Sequence, residues 1–302
     1  MASPQAEAIK ATLKEFAAQL DPNAEVTLDQ ERAAAEEFAA MCTEPDGVTW
    51  TDVDAGGVPA IWADPEGGAT DRVLLYVHGG GYVIGSAEIY KKLTGHIAKA
   101  CGCRVLSVDY RLAPEHPHPA PVTDSTTAYQ WLLEQGIEPG HIAVSGDSAG
   151  GGLTLATLVK LRDDGVPQPA AAVPISPWTD MEGLGDSMKT KADADVIVSE
   201  LVLKNMADRF LAGHDARDPL AAPLYADYTG ICPLYFQVGG DETLLDDTTR
   251  TAERARAAGV EVDVEVFPEM QHVFQMAAGN MPEADDAIAK IGAYLRPRLG
   301  LA

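Results

Sequence analysis

Positive charge is scarce in this sequence. Its 302 residues include 22 Lys and Arg against 46 Asp and Glu, which gives a formal net charge of −24 at pH 7. A surface this acidic repels the phosphate backbone of nucleic acids and the headgroups of anionic lipids. We therefore expect no nucleic-acid partner and no membrane insertion.

Long apolar runs are missing as well. No stretch is apolar for long enough to cross a bilayer. The first residues, MASPQAEAIKATLKEF, also lack the basic start and apolar run of an export signal. These observations predict a soluble, cytoplasmic protein. They do not determine its oligomeric state, and a homodimer remains possible.

Cysteine is rare, and no C-x-x-C spacing occurs, which argues against a dense disulfide framework. We expect the four cysteines to be small buried hydrophobic residues, with a redox or metal role for Cys101 and Cys103 as the less favoured alternative. The four cysteines are Cys42, Cys101, Cys103 and Cys232. His116 and His118 also lack a carboxylate or cysteine cluster, so a rigid proline loop is the better interpretation of APEHPHPAP. We expect no metal and no cofactor.

The order of predicted elements indicates the fold class. From residue 72 onward, apolar strand runs alternate with helical segments, which predicts an α/β fold with a mostly parallel sheet covered by helices on both faces. The strand runs are RVLLYV, CRVLSVDY, HIAVSG, AAAVPIS, PLYFQVG and VEVDVEVF. Two helices precede them, with start signals at Ser3-Pro4 and at Thr27 with Gln30, and a pair of short strands surrounds Gly56-Gly57.

A G-x-S-x-G motif, residues 146–150, lies between a predicted strand and a predicted helix. A serine on such a turn is held in a strained conformation, so the flanking positions must be small. The helix N-terminus behind it also stabilises developing negative charge. We therefore predict that Ser148 is a nucleophile, in preference to an ordinary glycine-rich turn.

A nucleophilic serine needs a histidine as base, and the histidine needs a carboxylate to orient it. His272 follows the strand VEVDVEVF in a loop before the last helix, whereas His96, His141 and His214 lie in helices or their approaches. The acid should follow the preceding strand, where GGDETLLDD offers Asp241 first. We predict Asp241 as the acid, with Glu242 as its close rival.

The stretch HGGGY, residues 78–82, places three consecutive glycines after a predicted strand. Attack of a serine on an ester carbonyl puts negative charge on the carbonyl oxygen, and backbone amides must approach this oxygen without crowding it. Side chains would obstruct that approach. We expect HGGG and the amide of Ala149, the residue after the nucleophile, to supply these donors.

Together, HGGGY, DYRLAPEHPHPAP, GDSAGGGL and GGDETLLDD with QHVF resemble the bacterial hormone-sensitive-lipase-like branch of the α/β-hydrolases from about Arg72 onward. The resemblance implies an α/β-hydrolase fold and an oxyanion hole made by Gly80, Gly81 and Ala149. It implies bracing roles for His78 and for YRLAPE, residues 110–115. The chain departs from the family pattern at Asp241, which Glu-Thr-Leu follows instead of Pro-Leu.

The resemblance also implies a helical cap. It predicts N-terminal cap helices in residues 1–45, a cap insertion in 180–225, and a catalytic core in 46–179 and 226–302. The insertion breaks the strand–helix rhythm, so it should lie over the sheet edge where ligands bind. We expect the acyl pocket to include Tyr82, Met206, Phe210 and Val273, and the cap helix to add an apolar stripe of Ile9, Leu13, Phe16 and Leu20.

Short-acyl carboxylesterase activity on small uncharged esters, without a cofactor, is what the resemblance implies. Cyclic esters such as monoterpene-type lactones are an alternative substrate class, since they would use the same triad. An amidase or peptidase remains open because the acyl chemistry is the same. A non-catalytic ligand receptor is the alternative of another class, but similar plant receptors lack the catalytic histidine, whereas His272 is present here.

Overall fold

The structure, a computed structural model, describes residues 1–19 and 27–302. Its centre is one eight-stranded sheet in the spatial order β1, β2, β4, β3, β5, β6, β7, β8. The strands are β1 (Val48–Asp54), β2 (Pro59–Pro65), β3 (Ala69–Val77), β4 (Cys103–Val108), β5 (Ile142–Asp147), β6 (Ala171–Ile175), β7 (Leu234–Gly239) and β8 (Val262–Phe267). β1 and β2 form an antiparallel hairpin, β2 is antiparallel to β4, and every later pairing is parallel. The predicted α/β architecture is confirmed.

Nine helices are described in residues 1–19 and 27–302. They are α1 (Pro4–Gln19), α2 (Leu28–Phe38), α3 (Lys91–Cys101), α4 (Ala120–Glu134), α5 (Ala149–Asp163), α6 (Ser187–Thr190), α7 (Glu200–Leu211), α8 (Leu245–Ala257) and α9 (Pro282–Arg298). The predicted capping box at the start of α2 is present: Thr27 N donates to Gln30 Oε1 at 2.9 Å, and Gln30 N donates to Thr27 Oγ1 at 3.3 Å. None of the described helices has the length and apolar character needed to cross a bilayer.

The central strands are buried on both faces, which explains their continuous apolar runs. In β3, Leu75 and Val77 contribute to one core cluster, whereas Leu74 and Tyr76 contribute to the other. This alternation follows from the two-residue period of a strand. Helices α4, α5 and α8 cover the first cluster, and α3 and α9 cover the second.

The two predicted cap regions are tied to the rest of the chain and to each other. In α2, Glu31 Oε1 accepts a hydrogen bond from Arg209 of α7 at 2.9 Å. Arg32 of the same helix donates to Val83 O at 3.1 Å and pairs with Glu115 at 2.8 Å. Helix α1 packs Ala6 into a small apolar cluster beside α9. Both regions therefore lie on the side of the molecule where β3 and its parallel neighbours end.

All four cysteines are free and buried, as predicted from the sequence.

Parallel strands of one sheet present their carboxyl ends at a common edge. Here the residues that follow β3, β5, β6, β7 and β8 along the chain are His78, Ser148, Ser176, Gly240 and Pro268. The motifs singled out from the sequence are gathered at this edge.

Candidate active site

Ser148 occupies the turn between β5 and α5 in a strained backbone conformation, with φ 53° and ψ −121°. The turn is closely packed: a Cβ on Gly146 would lie 2.3 Å from Val77 O, and one on Gly150 would lie 2.0 Å from the same oxygen. Both distances are far too short for any side chain. The steric argument for glycine on each side of the serine is therefore confirmed.

The glycine loop after β3 also has a left-handed backbone, with φ values of 109° at Gly80 and 61° at Gly81. Gly80 O accepts hydrogen bonds from Val83 N at 3.0 Å and Ile84 N at 2.9 Å, which fixes the loop. Within residues 1–19 and 27–302, the amides of Gly80, Gly81 and Ala149 donate to no protein acceptor. Three backbone donors thus remain free to bind a negatively charged oxygen.

His78 and Tyr110 support the first part of this glycine loop. The Nδ1 atom of His78 lies 2.7 Å from Gly79 O, and its ring stacks on that of Tyr110 with centroids 4.3 Å apart. Tyr110 donates its hydroxyl hydrogen to His78 O at 2.7 Å. Both residues are buried, so these contacts fit the bracing roles that the family resemblance implies.

Asp147, the second residue of the G-x-S-x-G motif, connects the serine turn to the glycine loop. Its buried carboxylate accepts hydrogen bonds from Tyr76 Oη at 2.8 Å, Tyr90 Oη at 2.8 Å and Gly79 N at 3.1 Å. Burial raises the pKa of Asp147 to about 6, against the effect of these donors. Sequence reasoning missed this residue because the motif leaves its position unspecified.

Glu242, and not Asp241, contacts the histidine. Nδ1 of His272 lies 2.8 Å from Oε2 of Glu242, and the other carboxylate oxygen accepts from Ser176 Oγ and from Gly239 N, each at 2.6 Å. Glu242 is completely buried. Asp241 instead pairs with Lys10 at 2.9 Å and Lys191 at 3.7 Å. The prediction of Asp241 as the orienting acid is wrong by one residue.

The physical reason lies in the turn after β7. Asp241 N donates to Met270 O at 3.1 Å, and the Asp241 carboxylate lies on the outer side of the turn beside the two lysines. The Glu242 side chain lies on the inner side of the turn, next to the end of β7. Sequence position alone could not show which of two neighbouring carboxylates lies inward.

The environment of His272 favours its charged form despite burial. Burial lowers the pKa of His272, but the charge and hydrogen bond of Glu242, with smaller contributions from Asp195 and Asp147, outweigh it and raise this pKa above its ordinary value. His272 in turn acts electrostatically on Asp147, which precedes Ser148. The Ser148 hydroxyl does not form a hydrogen bond to His272 here, as is common before substrate binds.

Comparisons with known proteins agree with this arrangement. A family model described as the α/β hydrolase fold matches residues 74–276. An acetyl-hydrolase of Streptomyces hygroscopicus is 43% identical over 267 residues, which cover 88% of each chain. A crystal structure of an esterase from the bacterial hormone-sensitive lipase family is 46% identical, with a TM-score of 0.95, and the match covers 99% of this chain and 100% of that one.

A structure of the protein EstE5, soaked with p-nitrophenyl butyrate, is 42% identical with a TM-score of 0.94, and the match covers 99% of this chain and 100% of that one. The chain belongs to the hormone-sensitive-lipase-like esterases of the α/β-hydrolase family. The resemblance stated from its motifs is confirmed.

A cavity of about 30 Å³ adjoins His272 in this member of the family. Ile9 and Leu13 of α1 line it together with Ile197 of the predicted cap insertion and Val273 beside the histidine. Of the apolar stripe predicted in α1, the Phe16 side chain and Leu20 lie outside the part that the structure describes. The cavity wall is therefore mainly apolar and includes residues from both predicted cap regions and from the predicted core.

The other predicted pocket residues differ in their surroundings. A Cβ on Gly81 would lie 2.0 Å from Met206 Sδ, so the Met206 side chain lies directly over the glycine loop. Phe210 is 2% exposed, and its ring stacks on Tyr82 with centroids 3.8 Å apart. Tyr82 is equally buried, and its hydroxyl lacks a hydrogen-bond partner in the described residues. Met206 thus borders the site, whereas Phe210 packs in the core behind Tyr82.

Residues 1–19 and 27–302 contain no group of three or more His, Cys, Asp or Glu that could hold a metal ion. In the proline loop, His118 lies 3.2 Å from Asp218 and contacts the edge of Phe210. These contacts fit the structural interpretation of that loop.

Proposed function

We propose that this chain hydrolyses small, uncharged esters with short acyl groups through an acyl-enzyme, with Ser148, His272 and Glu242 as its catalytic triad. The observation that carries the proposal is the buried Glu242–His272 hydrogen bond of 2.8 Å next to a strained serine turn and three free backbone amides. The names of the relatives, an acetyl-hydrolase and esterases, support the same reaction class.

In the first half of the reaction, Nε2 of His272 takes the Ser148 hydroxyl proton while Oγ forms a bond to the ester carbonyl carbon. The carbonyl oxygen becomes negatively charged and is stabilised by the amides of Gly80, Gly81 and Ala149. When the tetrahedral intermediate collapses, the bond to the alcohol oxygen breaks. His272 gives its proton to that oxygen, and the alcohol leaves.

In the second half, water attacks the acyl-enzyme. His272 takes a proton from the water as its oxygen bonds to the acyl carbon, and then returns the proton to Ser148 Oγ as the carboxylic acid is released. Glu242 stays ionised throughout. It holds the proton on Nδ1, which leaves Nε2 free to accept, and it stabilises the imidazolium form of each transition state.

Two observations support a short-chain, uncharged substrate. The Met206 side chain covers the loop that would bind the oxyanion, which restricts the space on that side. The net charge of −24 disfavours anionic esters.

The test is turnover of p-nitrophenyl acetate, butyrate, octanoate and laurate, beside a set of lactones, by the native chain and by Ser148→Ala. Ser145→Ala is the control, since Ser145 is a nearby serine in β5 whose buried hydroxyl donates to Val173 O and, among the described residues, makes no other side-chain contact of this kind. We expect the acetate and butyrate to be the best substrates, and Ser148→Ala to lose on the order of 10⁴-fold or more. Substantial turnover by Ser148→Ala would exclude the mechanism, and faster turnover of lactones would reassign the substrate class.

A further inference from the structure

One short stretch of the predicted cap insertion contacts the neighbours of both the acid and the base. This stretch, residues 194–198, is called the latch below. It lies against Thr243, which follows Glu242 after β7, and against Gln271, which precedes His272 after β8. The acid and the base follow different strands, so an element that contacts both loops can influence their relative position.

Asp195 forms the first half of the latch. Its Oδ2 accepts hydrogen bonds from Thr243 N at 2.8 Å and from Thr243 Oγ1 at 3.0 Å. Its Oδ1 accepts from Ile197 N at 2.9 Å and from Val198 N at 2.8 Å. The side chain is buried, and four donors compensate the loss of water around its charge. The carboxylate therefore holds the latch and the acid loop in one fixed arrangement.

The backbone of the latch forms the second half. Val196 N donates to Gln271 Oε1 at 2.9 Å, and Gln271 Nε2 donates to Ala194 O at 3.1 Å. This reciprocal pair fixes the Gln271 side chain to the residues on either side of Asp195. Among the described residues, the two catalytic loops are also joined by Asp241 N, which donates to Met270 O at 3.1 Å, and by Gly240 N, which donates to Phe267 O at 2.7 Å. Ser176 Oγ contacts both loops as well, since it donates to Glu242 Oε1 at 2.6 Å and accepts from Val273 N at 3.4 Å.

We propose that Asp195 and Gln271 are positioning residues through which the latch holds Glu242 and His272 in register for proton transfer. Neither has to touch the substrate. This inference rests on the proposed triad and assigns the cap a second role besides shaping the pocket. Small misplacements of catalytic groups are expensive, since an error of about 1 Å can reduce the rate by about 10²-fold.

Asp195 also contributes charge. The carboxylates that act on His272 are Glu242, Asp195 and Asp147, and Lys10 and Glu269 line the cavity beside it. Removing the Asp195 charge takes away one of the groups that favour the imidazolium. A variant without this charge should therefore have its catalytic histidine titrate at lower pH, which a purely structural defect would not produce.

The experiment compares Asp195→Asn and Gln271→Leu with the native chain, using p-nitrophenyl acetate. Asp218→Asn is the matched control: Asp218 also lies in the predicted insertion, accepts from a backbone amide two residues on, Leu220 N at 2.9 Å, and contacts a histidine, His118. We expect kcat to fall roughly 10- to 100-fold in both latch variants, with KM changed less than about threefold. The control should stay within about twofold of the native kcat.

Two further readouts separate positioning from general damage. The acid limb of the pH profile of kcat/KM should move to lower pH in Asp195→Asn but not in Asp218→Asn. The low-field proton resonance of the His272 Nδ1–H group should broaden or vanish in both latch variants, because the bond to Glu242 is no longer held. If Asp195→Asn does not fold, Gln271→Leu, which removes no charge, provides the test through kcat and the resonance.

Native kcat and an unchanged resonance in the folded latch variants would overturn the proposal, as would a loss confined to KM. Ser148→Ala and His272→Ala are measured in the same series. If these two are inactive while the latch variants are native-like, the triad stands and the latch does not. If Ser148→Ala retains activity, it is the proposed function that fails.

Discussion

Replacing Glu242 by glutamine should almost abolish turnover, whereas replacing its neighbour Asp241 by asparagine should not. In Glu242→Gln, the amide oxygen can still accept from Ser176 Oγ and Gly239 N, which both lie 2.6 Å from Oε1. The amide NH₂ then faces Nδ1 of His272. It can only donate, so Nδ1 must act as acceptor and the proton moves to Nε2, the atom that has to receive the serine proton.

The size of the effect follows from this tautomer change. Holding a triad histidine in the wrong tautomer typically lowers kcat by about 10⁴-fold, which corresponds to about 5.5 kcal/mol of transition-state stabilisation. Asp241→Asn removes ion pairs to Lys10 and Lys191, which are all partly exposed to solvent. Such pairs contribute about 0.2–1 kcal/mol, so kcat should change less than about fivefold.

The assay is steady-state hydrolysis of p-nitrophenyl acetate by the two folded variants, with thermal unfolding as a check on structure. Both mutations replace a carboxylate by an amide, and they do so at adjacent positions. A greater loss of kcat in Asp241→Asn than in Glu242→Gln would refute the assignment and restore Asp241 as the orienting acid.

Three other predictions concern the same site. Because the folded environment raises the pKa of His272, kcat/KM should increase with pH through a midpoint above the ordinary histidine pKa of about 6.5. A midpoint well below this pKa would contradict the described contacts of His272. Gly81→Ala should lower kcat by about 10²-fold or more, since its Cβ would meet Met206 Sδ and its φ of 61° disfavours a side chain. Native kcat in this variant would refute the argument that the loop has no room for a side chain at this position. Met206→Ala should shift the preferred p-nitrophenyl ester toward longer chains. Phe210→Ala should instead lower the free energy of unfolding, measured in urea titrations, by about 3–5 kcal/mol. If Phe210→Ala shifts the chain-length preference and Met206→Ala does not, Phe210 lies in the pocket.

The succession of strands and helices along the chain and the serine turn could be predicted from the sequence because each depends on local pattern. Residues 73–77 of β3 form a continuous apolar run since both faces are buried there. The turn at Ser148 needs glycine wherever Val77 O approaches within about 2 Å of a Cβ position. His272 could be predicted for the same reason, since it follows the last parallel strand.

The choice between Asp241 and Glu242 could not be predicted, because it depends on which way a turn presents two adjacent side chains. The contacts of Asp195 and Asp147 could not be predicted from the sequence either. Asp195 meets Thr243 across 48 positions of the chain, and Asp147 meets Tyr76 across 71. Phe210 has the helical spacing of a pocket residue, but the ring of Tyr82 occupies the space in front of it.

The three hydrogen bonds to Asp147 have a consequence for motion at the site. Its backbone continues directly into Ser148, while its carboxylate holds Gly79 N at the base of the glycine loop. The proposed nucleophile and the loop that carries the proposed oxyanion donors are thereby connected through one buried carboxylate. We expect the distance between them to stay nearly constant if the predicted cap regions move to admit a substrate.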